Sequence, residues 1–361
     1  MKKLYAYLLI LPLLLQLTAC DDDTIVGDGE INPPVETTYT DGVFVINEGN
    51  FGTPNGSISF FDGNTNILST KVFQTKNNRA LGDVIQSFTI EAGIGYVIVN
   101  NDNKMEVVNA ETFAQIATVE NLHLPRYFLK VSDTKAYITN WGNFSDVSAY
   151  IAVFDLTTNT VTSTITDAAF SGLEHMALMN GKVYVSNNFS NTVSVIDVTT
   201  NQVSTHLTIG DAPKKVYAVD GNIWVLTSGS YNFTFNDPTD DTKGKIVKID
   251  PSDNSIDLDL EIGVQGDHPG TFETDGSSLF FVNSGNTYKM ETTDNSLPTT
   301  PLISGKFFYG LSIDPTTGNI YGGDANGFTA LGSASIYDSN GNLLKQFFTG
   351  GIGPNGFVFV N

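Results

Sequence analysis

The sequence is poor in cysteine and in basic residues. Its 361 residues include one cysteine, Cys20, and 18 lysines and arginines against 39 acidic residues. A single thiol excludes a disulfide framework, a cysteine-ligated zinc site and an iron–sulfur cluster. The formal net charge of −21 argues against nucleic-acid binding, because phosphate contacts need clustered lysines and arginines. The same charge disfavours attraction to anionic lipid headgroups.

The long apolar run at the amino terminus is too short to span a bilayer. Lys2 and Lys3 precede an apolar stretch over 4–17, whereas a membrane-spanning helix needs roughly 20 apolar residues. A basic start, a short apolar region and a small residue before the cut are typical of a secretory signal peptide. We therefore predict a signal peptide over 1–19.

The end of this segment, Leu-Thr-Ala-Cys over 17–20, resembles the lipobox of bacterial lipoproteins. In that family the chain is cut before the cysteine and the thiol is acylated. The resemblance implies that Cys20 is the lipidated first residue of the mature chain. The alternative is an ordinary signal peptide that happens to end near a cysteine.

An acidic tether over 20–41 follows the predicted lipid anchor. Asp21, Asp22 and Asp23 resemble the export signal that sends Bacteroidetes lipoproteins to the outer face of the outer membrane, and a solvated acidic spacer is the alternative. The stretch contains two prolines and lacks an apolar period, as flexible linkers do. We expect a protein held at the outer membrane by its lipid alone and exposed at the cell surface.

Internal repetition organises the chain after residue 42. A short apolar and aromatic segment, usually ending in asparagine and followed by a polar turn, recurs roughly every 45 residues. Further short segments rich in Val, Ile, Thr, Tyr and Phe follow each copy, bounded by Gly, Asn or Asp, and these are signals of β-strands. The seven copies span 43–47, 96–100, 136–140, 183–187, 223–227, 279–283 and 320–324.

Four strands in a repeat of about 40–45 residues match a propeller blade, so seven copies predict an all-β, seven-bladed β-propeller over 42–361. The first copy lacks a leading strand, and the final segment 354–361 matches the segment 213–220 that leads a later blade. We therefore predict that the carboxyl-terminal strand joins blade one and closes the ring without open edges. A sandwich or two smaller domains is the alternative.

Two family resemblances follow from these repeats. The segment 182–203 reads Tyr-Val-x-Asn, Thr-Val-Ser-Val-Ile-Asp and Thr-Thr-Asn-x-Val, which resembles the YncE-like seven-bladed propellers. The opening 43–51, behind a lipobox and an acidic tether, is similar to Bacteroidetes surface lipoproteins of the BtuG type. That resemblance implies capture of cobalamin or a related corrinoid for a TonB-dependent outer-membrane transporter. Related lipoproteins with this opening have no established ligand, so the ligand stays open.

Long loops on one predicted face carry aromatic residues. Loops between the second and third strands share a face with the blade-to-blade connectors, and the long ones span 48–56, 141–149, 228–243 and 324–333. Exposed aromatic groups on loops give a rigid, flat ligand a large contact area, although some of these rings would pack beneath their own loops. The aromatic ligand-binding candidates are Phe51, Trp141, Phe144, Phe189, Tyr231, Phe233 and Phe328.

Polar residues on the predicted connectors complete this candidate site. Arg79 and Arg126 follow similar blade junctions, where a guanidinium would bond an anionic or amide-rich ligand, and a salt bridge to a nearby acid is the alternative. Tyr127 and His175 are further ligand-binding candidates. The remaining polar connector residues are Asn78, His123, Glu174, Lys214, His268 and Tyr309, and the histidines lack the local spacing of a metal site.

The sequence has no catalytic motif of the Gly-x-Ser-x-Gly, His-Glu-x-x-His or phosphate-loop type. We therefore expect a binding protein without enzymatic activity, cofactor or resident metal, whose ligand is a small molecule. Two alternatives are a propeller lactonase whose channel metal is held by residues scattered over the blades, and an adhesion or scaffold module. The acidic loop over 236–241 has oxygen ligands for a structural calcium ion, but it lacks the EF-hand pattern and is expected to be solvated.

Overall fold

The computed structural model describes residues 37–231 and 237–360. The predicted signal peptide, the lipidation site Cys20 and the acidic residues over 21–23 lie outside these described residues, and so does Phe233. Within the described ranges, no helix combines the length and the apolar character that crossing a membrane requires.

The strands form seven antiparallel sheets, as the repeats predict. Blade one holds β1 (Gly42–Asn47), β2 (Ser57–Asp62) and β3 (Ile67–Ser69), together with the last strand of the chain. A helix, α1 (Val72–Asn77), leads to blade two, which holds β4 (Ile85–Glu91), β5 (Ile94–Val99), β6 (Lys104–Asn109) and β7 (Gln115–Val119). Blade three holds β8 (Pro125–Lys130), β9 (Lys135–Asn140), β10 (Tyr150–Asp155) and β11 (Thr160–Ile165).

The later blades repeat this order. Blade four holds β12 (Leu173–Met179), β13 (Lys182–Asn187), β14 (Thr192–Asp197) and β15 (Gln202–Thr208). Blade five holds β16 (Pro213–Val219), β17 (Asn222–Thr227), β18 (Lys245–Ile249) and β19 (Ile256–Glu261), with a 3-10 turn at Pro238–Asp240. Blade six holds β20 (Thr271–Thr274), β21 (Ser278–Asn283) and β22 (Asn286–Glu291). Blade seven holds β23 (Gly310–Ile313), β24 (Ile320–Asp324), β25 (Ser333–Tyr337) and β26 (Leu343–Phe348), with a 3-10 turn at Asn326–Phe328.

The carboxyl-terminal strand closes the ring and confirms the predicted closure. β27 (Pro354–Val360) pairs with β1, with Phe44 opposite Val358 and Val45 opposite Phe357. The leading strands of neighbouring blades contact one another round the whole ring, from β4 through β8, β12, β16, β20 and β23 to β27 and back to β4. Because the ring closes, each blade is covered on both sides by its neighbours.

Blade six departs from the predicted four strands. Its sheet has three strands, and the fourth is reduced to an isolated bridge between Thr287 and Ile303. The segment that would form this strand contains Pro298 and Pro301. Proline has no backbone N–H, so these two residues remove two hydrogen-bond donors from the segment that would form the fourth strand.

The core lies between blades and not within one central mass. Trp224 of β17 is fully buried and packs with Phe272 and Leu279 of the next blade. Phe44 of β1 packs in the same way with Phe88 and Phe113 of blade two. Burying a side chain of this size contributes about 2–3 kcal/mol. The middle strands are therefore apolar on both faces, which explains why they read as continuous apolar segments.

Blade two is shifted by one residue relative to the sequence repeat. In the sequence repeat, Asn100 is equivalent to Asn140, which is the last residue of β9. In the structure, β5 already ends at Val99, one residue before Asn100. The backbone N–H of Asn100 donates to the carbonyl of Val84, as that of Trp141 does to Leu124. The side chain of Asn100 donates to the carbonyl of Pro125 at 2.9 Å. Asn100 thus ties blade two to blade three from outside its own strand.

Candidate functional site

One residue near the start of each leading strand lines the mouth of a central channel of about 190 Å³. In five blades the residue two positions earlier has a left-handed backbone, and its carbonyl accepts a hydrogen bond from the loop between the second and third strands. The chain therefore enters these strands in the same way and aims the same position at the channel. We call this set the channel ring, and its members are Asn355, Gln86, Arg126, Glu174, Lys214, Gly270 and Tyr309.

Arg126 connects the channel ring to the aromatic loops. Its guanidinium forms an ion pair with Glu174, with 2.9 Å between Nη2 and Oε1. The same guanidinium lies over the ring of Trp141, 4.0 Å from the centroid. Arg126 therefore forms the salt bridge to a nearby acid that was the alternative to ligand binding. Glu174 balances its charge within the channel ring.

Arg79 lies away from the channel ring. It pairs with the buried carboxylate of Glu106 at 2.7 Å, bonds Gln115 of the outer strand β7 at 3.0 Å and lies over Phe73. Gln86 occupies the ring position of blade two. The two arginines are not equivalent, because α1 extends the first connector and places Arg79 against the outer strands of blade two.

A second layer of polar side chains lies beneath the channel ring. The ammonium of Lys215 pairs with Glu273 at 3.3 Å, and the hydroxyl of Tyr217 donates to the same carboxylate at 2.7 Å. Tyr127 lines the channel, and its ring lies 5.1 Å from that of His175. This layer has its charges paired and its hydrogen bonds made within the protein.

His175 belongs to the wall of the channel. Its Nδ1–H donates to the carbonyl of Val216 at 2.7 Å, and its ring packs against Tyr217 with 4.8 Å between centroids. Burial and, to a smaller extent, the nearby ammonium of Lys215 lower the pKa of His175 to about 3. His175 is therefore neutral and holds two leading strands together.

Three cavities meet at Lys214. One of about 690 Å³ lies between the loops of blades four to six, one of about 600 Å³ lies between blades six and seven, and the third is the channel. Lys214 lines all three. Lys214 is open to solvent at the mouth, but desolvation by the surrounding protein lowers its pKa. Lys215 and Arg126 add repulsion that Glu174 opposes.

Aromatic side chains on the same face form three groups. Trp141, Phe144 and Phe189 form the first group, with 4.8 Å between the rings of Trp141 and Phe189. The ring of Tyr231 stacks on His268 at 3.6 Å. The last group pairs Tyr309 with Phe328 at 4.9 Å, while Phe51 on the loop of blade one is 80% exposed.

His268 is held between two hydrogen-bond acceptors. Its Nδ1 lies 3.1 Å from the carbonyl of Ser228, and its Nε2 lies 3.2 Å from a carboxylate oxygen of Asp241. These contacts tie the connector that leads into blade six to the long loop of blade five. The described residues contain no group of three or more His, Cys, Asp or Glu side chains that could hold a metal ion.

The sequence prediction placed most aromatic candidates on this face but gave several polar residues no specific role. Lys214 and Tyr309 were named only among the polar connector residues of the candidate site, and both belong to the channel ring. Glu48 also lines the channel and accepts a hydrogen bond from Tyr309. Phe307, which is 77% exposed beside Gly285, was not considered, although three consecutive aromatic residues in a connector were a readable signal. The remaining candidate residues stay predictions as ligand contacts.

Comparisons with known proteins identify a family and a fold. A family described as "Domain of unknown function (DUF5074)" matches residues 41–359. No curated protein matches the sequence significantly.

Solved structures with a similar fold share little sequence with this chain. A Bacteroides thetaiotaomicron protein described as quinonprotein alcohol dehydrogenase-like has a TM-score of 0.67 and 15% identity, over 90% of this chain and 79% of that chain. A functionally unknown protein from Desulfotomaculum acetoxidans has a TM-score of 0.65 and 12% identity, over 89% and 99%. Hydrazine synthase of Kuenenia stuttgartiensis has a TM-score of 0.60 and 12% identity, over 86% and 99%. At these identities the likeness shows the fold alone.

Proposed function

This chain belongs to the DUF5074 family, whose function is unknown, and we propose from the geometry of its own site that it is a small-molecule binding protein. The observation that carries the proposal is the meeting of three cavities at Lys214 beneath exposed aromatic loops. Binding sites are typically concave, mostly apolar and furnished with a few fixed polar groups. The two larger cavities are concave and combine aromatic rings with fixed polar groups.

We propose further that the protein is a lipid-anchored lipoprotein of the outer membrane that captures a nutrient at the cell surface for a TonB-dependent transporter. The lipobox resemblance at Cys20 and the opening similar to BtuG-type lipoproteins support this setting. A corrinoid such as cobalamin is the leading ligand, because it is rigid, flat and rich in amide groups. The aromatic groups around Trp141 and Tyr231 offer flat contact surfaces of matching chemistry.

Titration calorimetry of the purified protein with cobalamin, cobinamide and haem tests this proposal. We expect saturable heat with at least one corrinoid at micromolar protein. Replacing Trp141 and Tyr231 together by alanine should weaken that binding at least tenfold, because Tyr231 lines the cavity of about 690 Å³ and Trp141 packs against Phe189 on its wall. The matched control is Phe348→Ala, since Phe348 is 68% exposed but lies on the outer strand β26.

The outcomes separate the parts of the proposal. Absence of heat with both corrinoids rejects the corrinoid ligand. Unchanged affinity in the double variant, with an unchanged circular dichroism spectrum, rejects the aromatic face as the binding surface. Equal losses in the double variant and in Phe348→Ala would point to a general loss of stability and count against the site.

A further inference from the structure

We propose that Lys214 anchors a singly charged anionic group of the ligand, a carboxylate or a phosphodiester, at the point where the three cavities meet. This inference rests on the proposed binding function and assigns a charge to the ligand. Lys214 is suited to this role because it lines all three cavities.

Among the described residues, Lys214 differs from the other cations of the channel in having no partner. Arg126 is paired with Glu174, and Lys215 is paired with Glu273. The structure gives the ammonium of Lys214 neither an ion pair nor a hydrogen bond to any residue in 37–231 or 237–360. Lys214 is open to solvent at the mouth, so its ammonium is free to form a charge-assisted hydrogen bond with an anionic group.

The other cations of the channel are balanced by acids. Glu174 and Glu273 are each paired with their own cation. Glu48, the third acid of the channel, accepts a hydrogen bond from Tyr309, and burial raises its pKa. The acids that line the two larger cavities accept hydrogen bonds from neighbouring residues, and they are Asp211, Asp267 and Asp324. Among the described residues, Lys214 is therefore the cation of this junction that remains open to a ligand.

Gly270 keeps the space that the ammonium occupies. It is the channel-ring residue of blade six, and a Cβ added there would lie 3.0 Å from Nζ of Lys214. Gly270 is not among the residues with positive φ. A side chain at this position would therefore be opposed by crowding and not by the backbone conformation. The absence of a side chain in blade six thus gives Lys214 its position at the mouth.

The larger cavity supplies room for the body of the same ligand. It extends from Lys214 to the rings of Phe189 and Tyr231, which are 50% and 64% exposed. The amides of Asn188 and Asn191 line its wall. A flat ring bearing one anionic group therefore fits with its charge at Lys214 and its faces against the aromatic rim.

A matched pair of probes tests the anionic subsite directly. 2-Naphthoate and 2-naphthamide have the same flat ring and nearly the same shape, but only the first carries a charge. We expect calorimetry of the purified protein to give at least tenfold tighter binding of 2-naphthoate. Lys214→Met should reduce the affinity for 2-naphthoate to that for 2-naphthamide, because methionine keeps the length of the side chain and removes its charge.

The control variant is Lys243→Met in the same blade, whose lysine pairs with the exposed Glu261 far from the channel ring. It should leave both affinities unchanged. Equal affinity for the two probes in the unmodified protein would overturn the anionic subsite and leave the aromatic binding face standing. Failure of either probe to bind at millimolar concentration would also overturn the subsite, while the corrinoid titration decides the proposed function separately.

Discussion

At the scale of single residues, two neighbouring positions determine the chemistry of the channel mouth. Lys214 supplies the unpaired charge, and Gly270 supplies the space. Neither residue type is distinctive in the sequence, because lysines and glycines are common on connectors. Their importance comes from their places in adjacent blades of one ring.

A methyl group at Gly270 should disturb anion binding without removing a charge. We expect Gly270→Ala to weaken 2-naphthoate binding severalfold and to leave 2-naphthamide binding unchanged, because the added Cβ would displace the ammonium of Lys214. Calorimetry of the two probes measures the effect. Gly63→Ala is the matched control, since nothing lies within 4 Å of a Cβ at Gly63. An unaltered preference for the anion in Gly270→Ala would contradict the role given to this space.

Acid should destabilise the protein through His175. A histidine in an unfolded chain has a pKa of about 6.5, whereas burial lowers the pKa of His175 to about 3 in the folded protein. The unfolded chain therefore binds a proton that the folded protein does not, and stability present above about pH 6.5 is lost as the pH falls toward 3. The loss from this residue is about 2 kcal/mol at pH 5.

Urea unfolding at pH 7 and pH 5 measures this dependence. His175→Gln should show the smaller loss of unfolding free energy, because glutamine does not titrate and its amide can still donate to the carbonyl of Val216. His206→Gln, on the outer strand β15, should keep the loss seen in the unmodified protein. Identical pH dependence in all three proteins would exclude His175 as the cause.

The sequence located the aromatic part of the candidate site and not its charged part. Trp141, Phe189 and Tyr231 were predictable, because their loops are long and rich in aromatic residues. The distinction between Arg79 and Arg126 was not, because it depends on α1 lengthening one connector. The special position of Lys214 depends on which neighbouring cations already have partners, and only the folded ring determines that.

At the scale of secondary-structure elements, a tyrosine–asparagine contact links successive blades. The hydroxyl of Tyr137 in β9 donates to Asn201 of blade four at 2.6 Å, and that of Tyr184 in β13 donates to Asn254 of blade five at 2.8 Å. Both asparagines have a left-handed backbone in the turn between the third and fourth strands. This contact explains why the repeat combines a tyrosine in one blade with an asparagine in the turn of the next.

Removing one of these hydroxyls should lower stability without changing the fold. We expect Tyr184→Phe to reduce the free energy of unfolding by about 1–2 kcal/mol, because the asparagine oxygen loses its buried donor. Urea unfolding followed by circular dichroism measures the change. Tyr96→Phe in β5 is the control, since Tyr96 donates no hydrogen bond to the described residues, and its effect should be smaller. A larger loss in Tyr96→Phe would contradict this account.

Most strands were predictable because buried strands have a simple composition. Segments such as β1 and β13 are apolar on both faces and end at polar turns, so their bounds follow from the sequence. The one-residue shift in blade two was not predictable, because an asparagine outside the strand resembles one at its end. The loss of a regular fourth strand in blade six could have been expected from the sequence, since two prolines interrupt that segment.

At the scale of the whole molecule, stability depends on a contact between distant parts of the chain. β27 pairs with β1, and Phe357 of β27 is 5% exposed in the cluster that joins blades seven and one. The seven interblade layers support one another only when this last contact is made. An open ring would expose two apolar faces to water.

Replacing Phe357 by alanine should therefore destabilise the entire ring. We expect a loss of about 3–5 kcal/mol in the free energy of unfolding, because the change leaves a cavity at the closing contact. The unfolding transition should stay single, since all blades depend on closure. Phe348→Ala, at an exposed position of the outer strand, should cost much less. Two separate transitions in Phe357→Ala would show that the blades are stable independently.

The closing strand also fixes when the channel mouth is complete. Asn355 supplies the channel-ring position of blade one, and its amide donates to the carbonyl of Ile85 at 3.0 Å. The mouth is therefore completed by a segment that is synthesised after all the other channel-ring residues. A nascent chain has an unfinished mouth until its last strand pairs with β1, so an intact channel ring itself reports that folding is complete.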